Sequence, residues 1–64
     1  MSVGKNIVYH RERKGFSQYE LADKSGVSQP AISQIETETV MPRVTTLQRI
    51  ADALDVDLRT LLAP

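Results

Sequence analysis

Five residues between positions 28 and 34 could recognise a ligand through hydrogen bonds and small apolar contacts. Gln29 and Ser33 are four residues apart, as are Pro30 and Gln34, so each pair lies on one side of a helix. A glutamine amide can bond in pairs to N6 and N7 of adenine, and a serine hydroxyl such as that of Ser28 can bond to any base. Pro30 offers only apolar contact, for example to a thymine methyl. This chemistry suits recognition of base edges.

The sequence lacks the combinations of residues that catalysis or metal binding requires. It contains no cysteine and one histidine, His10, so no metal-ligand cluster can be assembled from these residue types. There is also no nucleophile–base pair, carboxylate dyad or glycine-rich phosphate loop. Serines such as Ser17 are better explained as helix caps. We therefore expect a non-enzymatic protein with no metal and no other cofactor.

The charges are balanced overall but unevenly distributed. Eight basic and eight acidic residues give a formal net charge of zero, which argues against binding nucleic acid by bulk charge, since phosphate contacts need lysine and arginine. The first fourteen residues are the basic part of the chain, and the segments that follow are acidic. Any phosphate-facing surface is therefore expected at the first helix. The alternative is that these are ordinary solvated charges.

Two short helices with strong capping signals are separated by a glycine turn. Ser17 begins a capping box, and Gly26 suits the left-handed residue that ends a helix. Ser28 can then cap a further helix over residues 29–36 that buries its isoleucines. Two capped helices joined by a short turn with glycine are typical of a helix-turn-helix, here at about residues 17–36.

Apolar spacing and caps predict three more helices. The first ends near Lys14 and Gly15, and the last begins after the capping residue Asp57. The clearest stripe defines the fourth helix and consists of Val44, Leu47, Ile50, Ala51 and Leu54. No strand pattern, linker or second domain is evident. The sequence therefore predicts an all-α, five-helix bundle forming a single domain over residues 1–64.

The ordered set of motifs resembles the phage repressor and Cro type of helix-turn-helix DNA-binding domain, over nearly the whole chain. The segments that carry the resemblance are Gly15–Ala22, Gly26–Ser28, Ile32–Glu36, Pro42 and Thr46–Leu54. It implies a lambda-repressor-like fold whose third helix enters the major groove while the second crosses the backbone. By position, it implies that bases are read by Ser28, Gln29, Pro30, Ser33 and Gln34, and that Gln18 contacts a phosphate.

The resemblance also implies a pair between Arg11 and Glu36 that turns Arg11 toward a phosphate. As an exposed ion pair it would contribute only about 0–1 kcal/mol. The alternative is a pair that locks the bundle without touching DNA. Arg13, Lys14 and Arg43 are weaker candidates for phosphate contacts, because basic residues at helix ends also interact with the helix dipole.

Three positions depart from the family pattern. Glu38 and Asp55 occupy places where the family commonly has glycine, so we expect strained or altered turns there. Glu38 also puts negative charge near the loop that should approach DNA. Arg43 replaces a small capping residue, which leaves a later capping box, Thr45 with Gln48, as an alternative start for the fourth helix.

A single module of this size covers about 600–1,000 Å² on DNA, usually too little for a specific site. We therefore expect a homodimer on a near-palindromic operator. Its candidate interface consists of apolar residues in excess of what so small a core is expected to bury: Val40, Met41, Val44, Leu58, Leu62 and Pro64. The expected function is a transcriptional regulator, either a repressor or an operon controller, that binds double-stranded DNA.

A protein-binding module on the same fold, such as an antitoxin that neutralises a toxin or a coactivator-like module, is the alternative function. The balanced charge favours it slightly. No apolar run approaches the roughly 20 residues of a membrane helix, and residues 1–6 lack a signal-peptide layout. The expected location is the cytoplasm, with no membrane association.

Overall fold

The computed structural model describes residues 2–64 as five helices, as predicted. Met1, which belongs to the predicted domain of residues 1–64, lies outside the described residues. Across residues 2–64, no helix has the length and apolar character needed to cross a membrane. The helices are α1 (Val3–Arg13), α2 (Gln18–Ser25), α3 (Gln29–Glu36), α4 (Val44–Leu54) and α5 (Leu58–Leu62).

The capping signals of α2 and α3 form as predicted. The Ser17 hydroxyl accepts from the Glu20 backbone N–H, and the Glu20 carboxylate accepts in return from the Ser17 backbone N–H. α2 ends at Gly26, whose φ of 75° lies in the left-handed region. The Ser28 hydroxyl then accepts from the backbone N–H of Ala31 and begins α3. Because backbone groups at the end of α2 and the start of α3 have hydrogen-bond partners, the turn between the two helices is held in one geometry.

α4 begins at Val44, so the alternative later start is wrong. Arg43 occupies the capping position without forming a side-chain cap. Gln48 does not return a bond to Thr45; its amide donates to the Asp52 carboxylate one turn further on. The helix is therefore stabilised by its apolar face rather than by its first turn.

Every helix contributes at least one fully buried side chain to a single core. α2 packs against α3 and α4, while α1 packs against α3, α4 and α5. Full burial of such a side chain stabilises the fold by about 1.5–3 kcal/mol. The largest fully buried residues are Ile7, Leu21, Ile32, Ile50, Leu54 and Leu61.

Two residues of α1 that the sequence analysis did not single out, Gly4 and Asn6, pack closely against other parts of the fold. A Cβ at Gly4 would lie 2.6 Å from the carbonyl oxygen of Ile35 in α3. Asn6 is buried, and its amide nitrogen donates to the carbonyls of Leu61 at 2.9 Å and Ala63 at 2.8 Å. α1 therefore holds the end of α3 and the carboxyl-terminal residues together.

The two turns at expected glycine positions have left-handed backbone geometry. Glu38 has φ 63° and Asp55 has φ 57°. Side chains with a Cβ are disfavoured in this conformation. The predicted strain is therefore present at both positions.

Candidate nucleic-acid interface

α3 presents its polar face to solvent and its isoleucines to the core. Ile32 and Ile35 are buried. Ser28, Pro30 and Gln34 are exposed, whereas Gln29 and Ser33 are half-buried. All five residues predicted to read bases therefore lie on α3 or at its cap, and no other part of residues 2–64 covers Gln34.

A chain of four side chains runs beneath this face. The amide nitrogen of Gln29 donates to Oε1 of Gln18 at 2.9 Å. Nε2 of Gln18 donates to Oε1 of Glu36 at 2.8 Å. Nε and Nη2 of Arg11 donate to the two carboxylate oxygens of Glu36 at 2.7 and 3.2 Å. The start of α2 thus links both ends of α3, which are about 10 Å apart along its axis.

The predicted pair of Arg11 and Glu36 is present, but the expectation that it is exposed is wrong. Their side chains are only 14% and 4% exposed. Nη1 of Arg11 also donates to the carbonyl of Phe16 at 2.7 Å, so all three guanidinium nitrogens bond within the fold. A phosphate contact by Arg11 stays a prediction, and this geometry favours the alternative, a pair that locks the bundle.

Gln18 is the first residue of α2 and is half-buried. The backbone N–H groups of Gln18 and Tyr19 have no acceptor within the helix, since they belong to its first turn. A helix amino terminus favours anions through these groups and through the helix dipole. The backbone here can contact a phosphate while the Gln18 side chain remains in the hydrogen-bonded chain.

The other residues predicted to contact phosphates are exposed and take no part in the hydrogen-bonded network of Arg11, Glu36, Gln18 and Gln29. The guanidinium of Arg13 donates to the Tyr9 hydroxyl at 3.0 Å and lies 5.4 Å from the centre of its ring. Lys14 follows the end of α1, and Arg43 precedes α4. Glu38 is also exposed, in the loop between α3 and α4.

The predicted dimer residues are exposed with one exception. Leu58 is half-buried and packs against the core, so it also serves the fold of one subunit. The others form apolar surface near the loop before α4 and at the end of the chain. They are Val40, Met41, Val44, Leu62 and Pro64.

Sequence reasoning missed the central position of Glu36. It paired Glu36 with Arg11 but did not connect Gln18 to either Glu36 or Gln29. Gln18 and Glu36 are 18 residues apart, and no helical spacing relates residues at that distance. No signal in the sequence could have found these contacts, because the two glutamines and the ion pair come together only when the helices pack.

Comparison with known proteins decides the family. The model of the helix-turn-helix family HTH_3 matches residues 7–61. The chain belongs to this family. A crystal structure of the biofilm regulator SinR in complex with DNA has a TM-score of 0.92 and 37% identity, covering 95% of this chain and 98% of that one. The family and the all-α, lambda-repressor-like fold predicted from sequence are confirmed.

The relatives of this chain have names that describe different functions. The transcriptional regulator SinR of Bacillus subtilis is 38% identical over 61 residues, 94% of this chain and 55% of SinR. Antitoxin HigA1 of Mycobacterium tuberculosis is 46% identical over 56 residues, 88% of this chain and 38% of HigA1. The restriction-modification controller C.AhdI of Aeromonas hydrophila has a TM-score of 0.90 at 29% identity, covering 92% and 89% of the two chains. The chain therefore spans about half of the length of SinR and less than half of the length of HigA1.

Proposed function

We propose that this domain binds double-stranded DNA in a sequence-specific manner and regulates transcription, as a repressor or operon controller. The observation that carries this proposal is the accessible, uncharged face of α3 on a domain that matches DNA-bound SinR with a TM-score of 0.92. In this proposal α3 enters the major groove. The protein acts without catalysing a reaction, in the cytoplasm.

The chemistry of the face supports reading by hydrogen bonds rather than by charge. Gln29 and Gln34 supply amides for base edges, and Arg13, Lys14 and Arg43 supply exposed charges for phosphates. For each phosphate that a cation neutralises, the logarithm of the affinity falls more steeply with the logarithm of the salt concentration, by about 0.9 in slope. With three such cations, we expect a shallower salt dependence than for strongly basic DNA-binding domains.

Selection of bound sequences from random DNA, followed by affinities at fixed salt, tests the proposal. Gln29→Ala and Gln34→Ala should each cost about 1–3 kcal/mol on the selected site. Gln48→Ala is the matched control, because Gln48 is exposed on α4 and bonds only to Asp52. If no sequence is enriched, or if the preference survives both α3 substitutions, the proposal is wrong.

We further propose that two copies bind a near-palindromic operator. Exposed apolar side chains support this arrangement: Met41 is 90% exposed and Val44 67%. Sedimentation of the free protein and of its complex with the selected DNA measures the stoichiometry. Met41→Asp should weaken the dimer, while Tyr19→Asp, at a 71% exposed residue on α2, should leave sedimentation of the free protein unchanged. A monomer in both states would contradict the dimer.

The second candidate is binding to a protein, as an antitoxin binds a toxin. The 46% identity to antitoxin HigA1 and the formal net charge of zero favour it. The discriminating experiment mixes the purified chain with the product of a neighbouring gene and, separately, with random DNA. Tight protein binding with absent or salt-insensitive DNA binding would support this candidate over the first.

A further inference from the structure

We propose that Glu38 opposes the phosphates of bound DNA and thereby lowers the affinity of the domain for DNA of every sequence. The inference rests on the proposed function, in which α3 enters the major groove. It gives the acid in the turn after α3 a role in binding, as a residue that limits affinity. The observations behind it are the backbone geometry of Glu38, the lack of a partner for its carboxylate and its place beside Gln34.

Glu38 occupies its turn at a cost to the fold. Its φ of 63° lies in the left-handed region, which disfavours side chains with a Cβ. Its backbone N–H donates to the carbonyl of Ile35 at 3.1 Å, a bond that a glycine would also make. Within residues 2–64 its carboxylate accepts no hydrogen bond and takes part in no ion pair. Strained residues cluster at functional positions, so this geometry favours a role in binding over a role in stability.

α1 holds the side chain of Glu38 in place. A Cβ at Gly4 would lie 2.8 Å from Cγ of Glu38, so this side chain packs directly over the first turn of α1. That turn has no acidic residue of its own, and the positive end of a helix dipole favours a carboxylate beside it. Since Glu38 is exposed, its negative charge is kept at the surface next to the end of α3.

The position of Glu38 brings this charge close to phosphates in the proposed complex. Glu38 comes four residues after Gln34, about 6 Å along the axis of α3, and the backbone N–H of Thr39 donates to the carbonyl of Gln34 at 2.9 Å. The loop therefore stays beside Gln34. Because the major groove is about 12 Å wide, a side chain about 6 Å beyond one that reads a base edge approaches a wall of the groove. Phosphates line that wall within about one Debye length, about 8 Å at physiological salt.

The loop after α3 supplies no cation to neutralise this charge. Residues 37–42 contain no lysine or arginine, and the next basic residue is Arg43. Sequence-independent binding comes from contacts between cations and phosphates, so an acid at the same boundary subtracts from it. Because phosphates are alike at every site, the loss applies to all sequences. The domain therefore leaves non-specific DNA more readily, and stable binding depends on base contacts and on the proposed second copy.

Affinities of Glu38→Gln for the selected DNA and for a scrambled DNA of equal length test the inference. The substitution removes the charge and keeps the side-chain length and the left-handed backbone. In about 0.1 M salt it should tighten binding to both DNAs by about two- to fivefold for each bound copy. The logarithm of the affinity should also fall more steeply with the logarithm of the salt concentration, by up to about 0.9 in slope. The gain should shrink at high salt, because the Debye length falls to about 3 Å at 1 M.

A matched acid and a reversed charge complete the set of variants. Asp55→Asn removes the charge of another exposed acid with left-handed geometry, at φ 57°. Asp55 lies between α4 and α5, whereas α3 packs mainly against α1 and α2, so both affinities should stay unchanged. Glu38→Lys should tighten binding further than Glu38→Gln, by about the square of its factor. Circular dichroism under the binding conditions checks that all variants are folded.

The possible failures are distinguishable. If Glu38→Gln leaves both affinities unchanged or weakens them, the inference is wrong, while enrichment of a site by the wild type keeps the proposed function. A gain shared by Asp55→Asn would assign the effect to net charge rather than to position. Loss of a preference for cytosine at one base pair would make Glu38 a base-reading residue; either result also overturns the inference. If neither the wild type nor any Glu38 variant binds DNA, the inference and the proposed function both fail.

Discussion

Replacing Glu36 by methionine tests the reasoning about the buried ion pair most directly. The substitution keeps the approximate volume and removes the carboxylate. Arg11, with only 14% of its side chain exposed, then retains a single protein acceptor, the carbonyl of Phe16. A buried guanidinium without its counter-ion is the main source of the expected instability.

The expected cost is about 3 kcal/mol of unfolding free energy. Removing one partner of a buried ion pair costs about 3–5 kcal/mol, and the low end applies because Arg11 keeps some contact with water. A domain of this length has a total stability of about 3–10 kcal/mol. The single substitution thus removes a third of the stability or more.

Urea denaturation followed by circular dichroism measures the change for a double-mutant cycle. Arg11→Met alone should also destabilise, because it leaves the Glu36 carboxylate buried and without its counter-ion. The double variant should lie within about 1–2 kcal/mol of the wild type, since an apolar pair of similar volume often replaces a buried ion pair at little cost. Glu12→Met, at an exposed acid on α1, is the control and should change stability by no more than about 0.5 kcal/mol.

A Glu36→Met variant within about 1 kcal/mol of the wild type would refute the reasoning. So would a double variant that loses the sum of the two single costs, because the coupling between the sites would then be absent. If the single variant is unfolded without urea, trimethylamine oxide restores a folded baseline from which the comparison is made.

Three other perturbations follow from particular backbone and capping contacts. Gly4→Ala should lower the free energy of unfolding by about 1–3 kcal/mol, because the added Cβ would meet carbonyl oxygens of α3. This cost should exceed the gain from the higher helix propensity of alanine. Thermal melts measure the change, and an unchanged melting temperature would contradict the close approach. Glu38→Gly should stabilise by about 0.5–1 kcal/mol by relieving the left-handed strain, and Gly26→Ala, at φ 75°, should destabilise by a similar amount. The backbone N–H of Arg59 and then its guanidinium lower the pKa of Asp57 from 3.8. This carboxylate therefore adds stability above about pH 4 that is lost as the pH falls through its lower folded pKa. Asp57→Asn keeps the cap without the charge, so the fall in stability on acidification in urea titrations should be shallower, and an unchanged slope would count against the assignment.

The helices and the recognition face could be predicted because their determinants are local. The Ser17 and Ser28 caps act on backbone groups three residues away, and Gly26 ends α2 through its own backbone angle. The alternation of isoleucine with polar residues in α3 likewise predicts which side is buried. The left-handed turns at Glu38 and Asp55 were predictable for the same reason, once the family pattern was compared.

Tertiary structure alone decided how these elements work together. The burial of Arg11 with Glu36 joins residues 25 apart, and the Asn6 bond to Leu61 joins residues 55 apart. The same holds for the closeness of Gly4 to α3 and for the bonds that Gln18 makes. Solvent exposure and hydrogen-bond partners depend on which helices pack together. Because spacing along one helix carries no information about that packing, an expected surface ion pair proved to be a buried one.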